Sequence, residues 1–150
     1  MGIVLKQLSV EEIETIKTFF ADVFMKEPWN DDWSDKEQLH AYMMDLIGNP
    51  NSLALGLYEE KQLVGLSMGS IMHWYSGTQY YIVELCIKTT EQGRGLGTIF
   101  IKEIEKFIKE RGISCIFLQT ERTVPAYEFY KKNGFFDLDD HVSLVKNISN

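Results

Sequence analysis

The stretch Gln92-Gly93-Arg94-Gly95-Leu96-Gly97-Thr98 carries the clearest chemistry in this chain. An apolar run from Tyr81 to Ile87 precedes it, and apolar residues at helical spacing follow from Leu96. Strand, glycine-rich turn and helix in that order build an anion cradle. The first N–H groups of a helix have no partner within it, point outward, and lie at the positive end of the helix dipole. Glycines let the backbone approach an anion with no Cβ in the way. Spacing excludes two common nucleotide sites. A P-loop needs Gly-x4-Gly-Lys-Ser/Thr, which is absent. The dinucleotide fingerprint needs Gly-x-Gly-x-x-Gly in the first βαβ unit, whereas Gly93-x-Gly95-x-Gly97 is spaced differently and follows several strands. For the glycines alone, a tight turn without a ligand remains the alternative.

The elements that must position this turn are legible in outline. Ile3–Leu8 reads as a strand. Ser9-Val10-Glu11-Glu12 is a capping box, after which Ile13, Ile16, Phe20, Val23 and Phe24 recur at helical spacing until Pro28. A second capping box, Ser34 to Glu37, opens a helix with Leu39, Met43, Leu46 and Ile47 on one side, stopped by Gly48-Asn49-Pro50. Leu53–Tyr58, Leu63–Tyr75 and Gln79–Ile87 read as a three-stranded meander, with turns at Glu60-Lys61 and Ser76-Gly77-Thr78. The helix after the glycine turn carries Leu96, Ile99, Phe100, Ile104, Phe107 and Ile108 and stops at Gly112. A short buried strand, Ser114–Gln119, follows. Pro125 suits the first turn of a short helix that ends at Gly134. Phe135–Leu138 and His141–Ile148 read as a final pair of strands. The order β-α-α-β-β-β-α-β-α-β-β predicts one domain over residues 1–150, a mixed central sheet with helices on its faces, in the α/β or α+β class.

The chain has 150 residues, 45% of them apolar and 25% charged, within the range of a globular domain. Its net charge of −7 argues against nucleic acid as a partner and suits a cationic one. No apolar run approaches the roughly 20 residues that span a bilayer. Lys6 is followed by a polar, acidic helix start where a signal peptide would be apolar, so no membrane association and a cytoplasmic location are expected. Cys86 and Cys115 lie in apolar runs, which predicts buried, reduced thiols. His40, His73 and His141 are isolated, so no metal site is expected.

At this point the chain resembles the GCN5-related N-acetyltransferase (GNAT) superfamily. Gln92-Gly93-Arg94-Gly95-Leu96-Gly97 matches its Gln/Arg-x-x-Gly-x-Gly/Ala signature for acetyl-CoA, and Glu84-Leu85-Cys86-Ile87 matches the strand leading into it. Ala126 to Phe135 resembles the second motif, Ala-x-x-Phe-Tyr-x-x-x-Gly-Phe. The order of elements agrees over nearly the whole chain. The resemblance implies acetyl-CoA as cosubstrate, its pyrophosphate held by the amides of Gln92, Gly93, Arg94, Gly95, Leu96, Gly97 and Thr98, with Arg94 adding charge or standing solvated. It further implies that Leu85 and Ile87 pair with pantetheine as a strand edge would, and that a backbone N–H of this strand meets the oxyanion. Thr123 stands where the family often has Asn, and it can hydrogen-bond but has no amide.

Acetyl transfer to an amine requires a neutral amine, donors for the tetrahedral oxyanion and a proton for the leaving thiolate. Glu84 is the acidic residue of its strand, and the resemblance places that strand beside the acetyl group. Its apolar neighbours would raise its pKa toward a useful range, for catalysis or for holding the substrate ammonium. A solvated or salt-bridged carboxylate is the alternative. Tyr130, placed by the resemblance near the CoA sulfur, can donate to the thiolate; a core aromatic is its alternative. Cys86 has no nearby His, so direct attack on acetyl-CoA is expected rather than an acyl-cysteine.

The acceptor falls to Glu27-Pro28-Trp29-Asn30-Asp31-Asp32-Trp33, between the first two helices. Aromatic faces beside carboxylates suit a cation. Glu27, Trp29, Asn30, Tyr81 and Glu84 are the expected acceptor contacts, with Trp74, Tyr75 and Tyr80 adding aromatic surface. This composition looks like the aminoglycoside 6′-N-acetyltransferase-like branch, which implies a small-molecule polyamine or aminoglycoside-like acceptor. A protein or peptide amine, or a non-catalytic acyl-CoA-binding module, remain the alternatives. Pairing of terminal strands across a two-fold axis would allow a homodimer.

Overall fold

The computed structural model describes residues 2–149. The chain divides into two compact units, Met1–Gln119 and Thr120–Asn150. In the first unit β1 (Ile3–Leu8) leads through a 3-10 turn (Val10–Glu12) to α1 (Ile13–Phe24) and α2 (Lys36–Ile47). Then come β2 (Ser52–Glu59), β3 (Gln62–Trp74), β4 (Gly77–Ile87), α3 (Leu96–Lys109) and β5 (Cys115–Leu118). The second unit contains α4 (Pro125–Lys132).

Local signals account for most boundaries. The Ser9–Glu12 capping box forms, and it precedes a helix that buries Ile16, Phe19, Phe20, Val23 and Phe24. The expected cap of α2 shifts by one residue. Asp35, not Ser34, accepts from the N–H groups of Glu37 and Gln38, while Ser34 donates its own N–H to Asp32. A carboxylate at this position satisfies two orphan amides and also complements the helix dipole. The β2–β3 turn takes Glu60 and Lys61 into the left-handed region, as a two-residue hairpin of matching twist requires. The β3–β4 turn is tighter than expected, because Gly77 already pairs with Trp74.

The sheet runs β1-β2-β3-β4-β5, antiparallel through β4, with β5 parallel to β4. Helices cover both faces. Leu8, Ala54, Leu66 and Met68 form one core with α1 and α2. Leu53, Leu55, Leu57, Tyr80 and Ile82 form the other with α3.

One irregularity in β4 matters for everything below. Met68 pairs with Glu84 but the next residue, Gly69, pairs with Ile82, leaving Val83 as the extra residue of a β-bulge. Alternation would place Glu84 and Cys86 on the same face as Tyr80 and Ile82. The bulge reverses the sense: Cys86 joins the α1–α2 core, whereas Leu85 and Ile87 pack with the α3 core.

Two strand expectations fail. Residues 135–149 contain no strand. Val142, Leu144, Val145 and Ile148 have strand-forming side chains, but they are between 79% and 88% exposed. β-propensity measures fit to a paired, half-covered surface, and a segment without a ladder has neither. β5 is also less buried than its apolar sequence suggests. It is an edge strand, Cys115 is exposed, and only Cys86 is a buried thiol. Among the described residues no helix is long and apolar enough to cross a membrane, and no group of three His, Cys, Asp or Glu could hold a metal ion.

Candidate acetyl-transfer site

The glycine turn has the geometry an anion needs. Gly93 and Gly95 take positive φ values of 83° and 78°, a region costly for residues with a Cβ. Nothing lies within 4 Å of where a Cβ would stand on either. Gly95 is the N-cap of α3, with no side-chain cap and no acidic residue in the first helical turn. This sets α3 apart from α2, whose Asp35 caps two amides and whose first turn contains Glu37. The amides and dipole of α3 are therefore left for an outside anion.

Arg94 is otherwise engaged. Its guanidinium forms two 3.0 Å bonds to the Glu59 carboxylate and a third contact to Glu91. These bonds tie the turn to the end of β2 and hold the Glu59 carboxyl below the usual range. The Gln92 side chain donates to the Ile87 carbonyl at 3.1 Å, fastening the turn to the end of β4.

β4 itself opens toward this turn. Its pairing with β5 runs only from Gln79 to Ile82, whereas its pairing with β3 continues to Ile87. From Val83 to Ile87 the β5 side of β4 has no strand partner among the described residues. An extended polyamide could add there as a strand does. Leu85 and Ile87 lie in this stretch.

Glu84 stands at the start of the open stretch, directly after the bulge. Tyr42 on α2 donates a 2.5 Å hydrogen bond to its Oε2. Burial raises the Glu84 pKa above that of an ordinary carboxylate and the Asp31 charge adds to this, while the Tyr42 hydrogen bond works against it. The Tyr42 phenol is pushed well above its usual value, by burial first and then by Glu84.

The α1–α2 loop folds onto the same cluster. Asp31 donates its N–H to the Phe24 carbonyl, and Asn30 adopts φ 52°, a conformation Asn tolerates better than most residues. Trp29 packs against Phe24 at 5.5 Å. Trp33 meets Phe20 edge-on and stacks on Tyr42 at 5.2 Å with an interplanar angle of 6°. The Trp33 indole N–H is buried and has no hydrogen-bond partner among the described residues. Both Trp rings therefore back onto aromatic core, and the open cation surface read from the sequence is smaller than expected.

The other expected acceptor residues diverge. Glu27 and Asn30 are exposed. Tyr81 donates to Gln119 at 3.1 Å and lies edge-on to Phe117. Tyr80 is not site surface: it is fully buried, and its hydroxyl is satisfied by Ser67 and the Leu53 carbonyl. Trp74 and Tyr75 are exposed and pack on each other. A separate cleft of about 370 Å³ lies beside His73 and Arg111 and includes none of these residues.

Sequence reasoning missed Tyr42, and it named Asp31 only as part of the acceptor segment, not among the expected contacts. Tyr42 was detectable. It lies three residues after Leu39 and four before Leu46, on the buried stripe of α2, and a phenol so placed requires a partner for its hydroxyl.

In the second unit, Thr123 is exposed just ahead of α4. Tyr130 is buried and packs edge-on against Phe129 at 5.4 Å and Phe135 at 5.2 Å. Tyr127, Arg122 and Lys131 converge on Asp137, and together they hold its carboxyl below the usual range, the Tyr127 hydrogen bond most strongly. This network fixes the chain after α4.

A mixed sheet with an open strand edge, running into a glycine turn at an uncapped helix, is the framework of an acyl-transferring enzyme. The chain belongs to the acetyltransferase (GNAT) family, whose profile matches residues 13–135. Solved structures share the fold. An aminoglycoside acetyltransferase from an uncultured soil metagenomic sample, in complex with sisomicin, is 20% identical with a TM-score of 0.75, over 99% of this chain and 97% of that one. A possible acetyltransferase from Clostridium difficile 630 is 15% identical with a TM-score of 0.81, over 99% and 100%. A predicted acetyltransferase from Clostridium acetobutylicum, solved with acetyl-CoA, is 19% identical with a TM-score of 0.73, over 95% and 96%. No curated protein matches the chain.

Proposed function

We propose that this acetyltransferase takes acetyl-CoA as donor and moves the acetyl group to a primary amine of a small cationic acceptor, aminoglycoside- or polyamine-like, by direct attack. The observation that carries the donor is the N-terminus of α3. Its amides are uncapped, its first turn has no acid, and it follows two glycines held open at positive φ. Gln92 to Thr98 hold the pyrophosphate, and Leu85 and Ile87 on the open edge of β4 pair with the pantetheine arm.

Glu84 accepts the proton of the acceptor ammonium, directly or through water. The neutral nitrogen attacks the thioester carbonyl and the C–S bond breaks; the surplus proton of the attacking nitrogen passes to water, and Tyr130, in the role the family resemblance implies, gives its proton to the departing thiolate and regains one from solvent. Burial gives Glu84 a higher proton affinity than a solvated carboxylate, which brings a base closer to neutral pH. Cys86 takes no part. It is buried and its thiol is pushed far above the usual range, by burial first and then by Glu84.

A small cation as acceptor is supported by Asp31 and Glu84 beside the Trp33–Tyr42 stack, by the net charge of −7, and by the sisomicin-bound relative of the same fold. Glu27, Trp29, Asn30 and Tyr81 enter this reading as acceptor contacts on the sequence argument alone. A homodimer through the terminal segment belongs to this reading, since the apolar run Val142 to Ile148 is exposed.

Thiol release from acetyl-CoA across a panel of aminoglycosides, polyamines and peptides tests the reading. Turnover with polycationic small amines is expected. Turnover with peptides alone would overturn the acceptor class, and CoA binding without any turnover would overturn the catalytic reading.

A further inference from the structure

We propose that Tyr42 is a positioning residue of the acceptor site, whose phenol holds the Glu84 carboxylate in place while its ring, stacked on Trp33, locks the α1–α2 loop to β4. The inference rests on the reading of Glu84 as the proton acceptor, and it adds a residue that neither motif of the family resemblance contains.

The geometry fixes Tyr42 from several sides. Its ring lies parallel to Trp33 at 5.2 Å and edge-on to Phe20 at 5.9 Å. The hydroxyl reaches Glu84 Oε2 at 2.5 Å. A phenol held by two aromatic neighbours donates from one orientation, so the carboxylate it binds is fixed as well. Glu84 needs such a tether, because it follows directly on the Val83 bulge, where the strand departs from regular pleating. The contact also bridges the two parts of the acceptor region. Trp33 belongs to the loop, Tyr42 to α2 and Glu84 to β4, and the stack and the hydrogen bond join them in series.

The charged and titratable groups around Glu84 come from three places. Tyr42 faces it from α2 and Asp31 from the loop, while Cys86 lies two residues on along β4. Tyr81 acts on Tyr42. Of these, Tyr42 favours the ionised carboxylate, and Asp31 opposes it together with burial. Tyr42 keeps its own proton tightly, so it serves as a fixed donor and not as a relay.

Tyr42→Phe retains the ring and removes the hydroxyl. The Glu84 carboxyl, followed by carbon NMR, should then titrate about one pH unit higher, the size of a partly solvated hydrogen bond to a charged group. The acidic limb of kcat/KM for any amine that turns over should move up by the same amount. Tyr42→Ala, which also removes the stack, should in addition raise the acceptor KM while leaving the KM for acetyl-CoA unchanged. An unchanged Glu84 titration in Tyr42→Phe would overturn the inference. If the NMR titration moves and the rate profile does not, the Tyr42 contact stands and Glu84 is not the base.

Discussion

Replacing Gly69 with alanine tests the bulge that turns Glu84 toward the α1–α2 face. A Cβ built on Gly69 would stand 1.8 Å from the Tyr81 carbonyl oxygen and 3.0 Å from the Ile82 Cα. Carbon and oxygen in contact normally stay about 3.3 Å apart or more, so the carbonyl would have to retreat by about 1.5 Å. The obstructing atoms are backbone, inside a strand paired with β3 on one side and β5 on the other. Relief therefore breaks ladder bonds, where a side chain would simply rotate. Overpacking typically costs about 1–3 kcal/mol, and a rigid backbone neighbour puts this case at about 3 kcal/mol. For a chain of this length that is a fall in Tm of about 6–12 °C, read by circular dichroism. Because Glu84 is the residue just past the bulge, kcat should fall together with stability. A Tm within about 2 °C of the wild type, with kcat unchanged, would refute the account of why glycine stands here. Gly112→Ala is the comparison. Its φ is +74° with nothing within 4 Å, so it should cost only the left-handed backbone penalty of about 1–2 kcal/mol and leave kcat intact.

Three further outcomes are expected. Tyr130→Phe should lower kcat at least tenfold while the calorimetric affinity for acetyl-CoA changes little; an unchanged kcat would remove its role as acid. Cys115 is exposed and Cys86 buried, so a thiol reagent should label one cysteine per native chain at once and the second only on unfolding. Sedimentation equilibrium should give twice the 17.4 kDa chain mass, and Leu144→Asp with Val145→Asp should return the monomer. A monomeric wild type would end the homodimer reading.

The two parts of the site were not equally visible in the sequence. The glycine turn proposed for the donor was legible because its geometry is local. Gly93, Gly95 and Leu96 lie within four residues of one another, and whether the next helix carries a cap or an acid can be read off its first turn. Helix boundaries followed from the same kind of signal, apart from the one-residue shift from Ser34 to Asp35 and the end of α1, which comes at Phe24 and not at Pro28. The surroundings of Glu84 were not legible, because they join residues 42 positions apart. Tyr42 was recognisable as a half-buried phenol with a partner to find, but nothing in the sequence names Glu84 as that partner. The tail failed differently. Its apolar alternation favours a strand, but a strand exists only when another chain segment completes its ladder.

The sequence by itself determined the family, the order of the elements up to α4 and the glycine turn that starts α3, because each depends on neighbours within a few residues. The tertiary structure decided which way Glu84 points. Period-two alternation places it with Tyr80 and Ile82, and the single extra residue at Val83 turns it to the other face, beside Tyr42 and the Trp33 loop. A bulge arises from the pairing of two strands, here around the close approach of Tyr81 to Gly69, and a pairing is not a property of either strand alone.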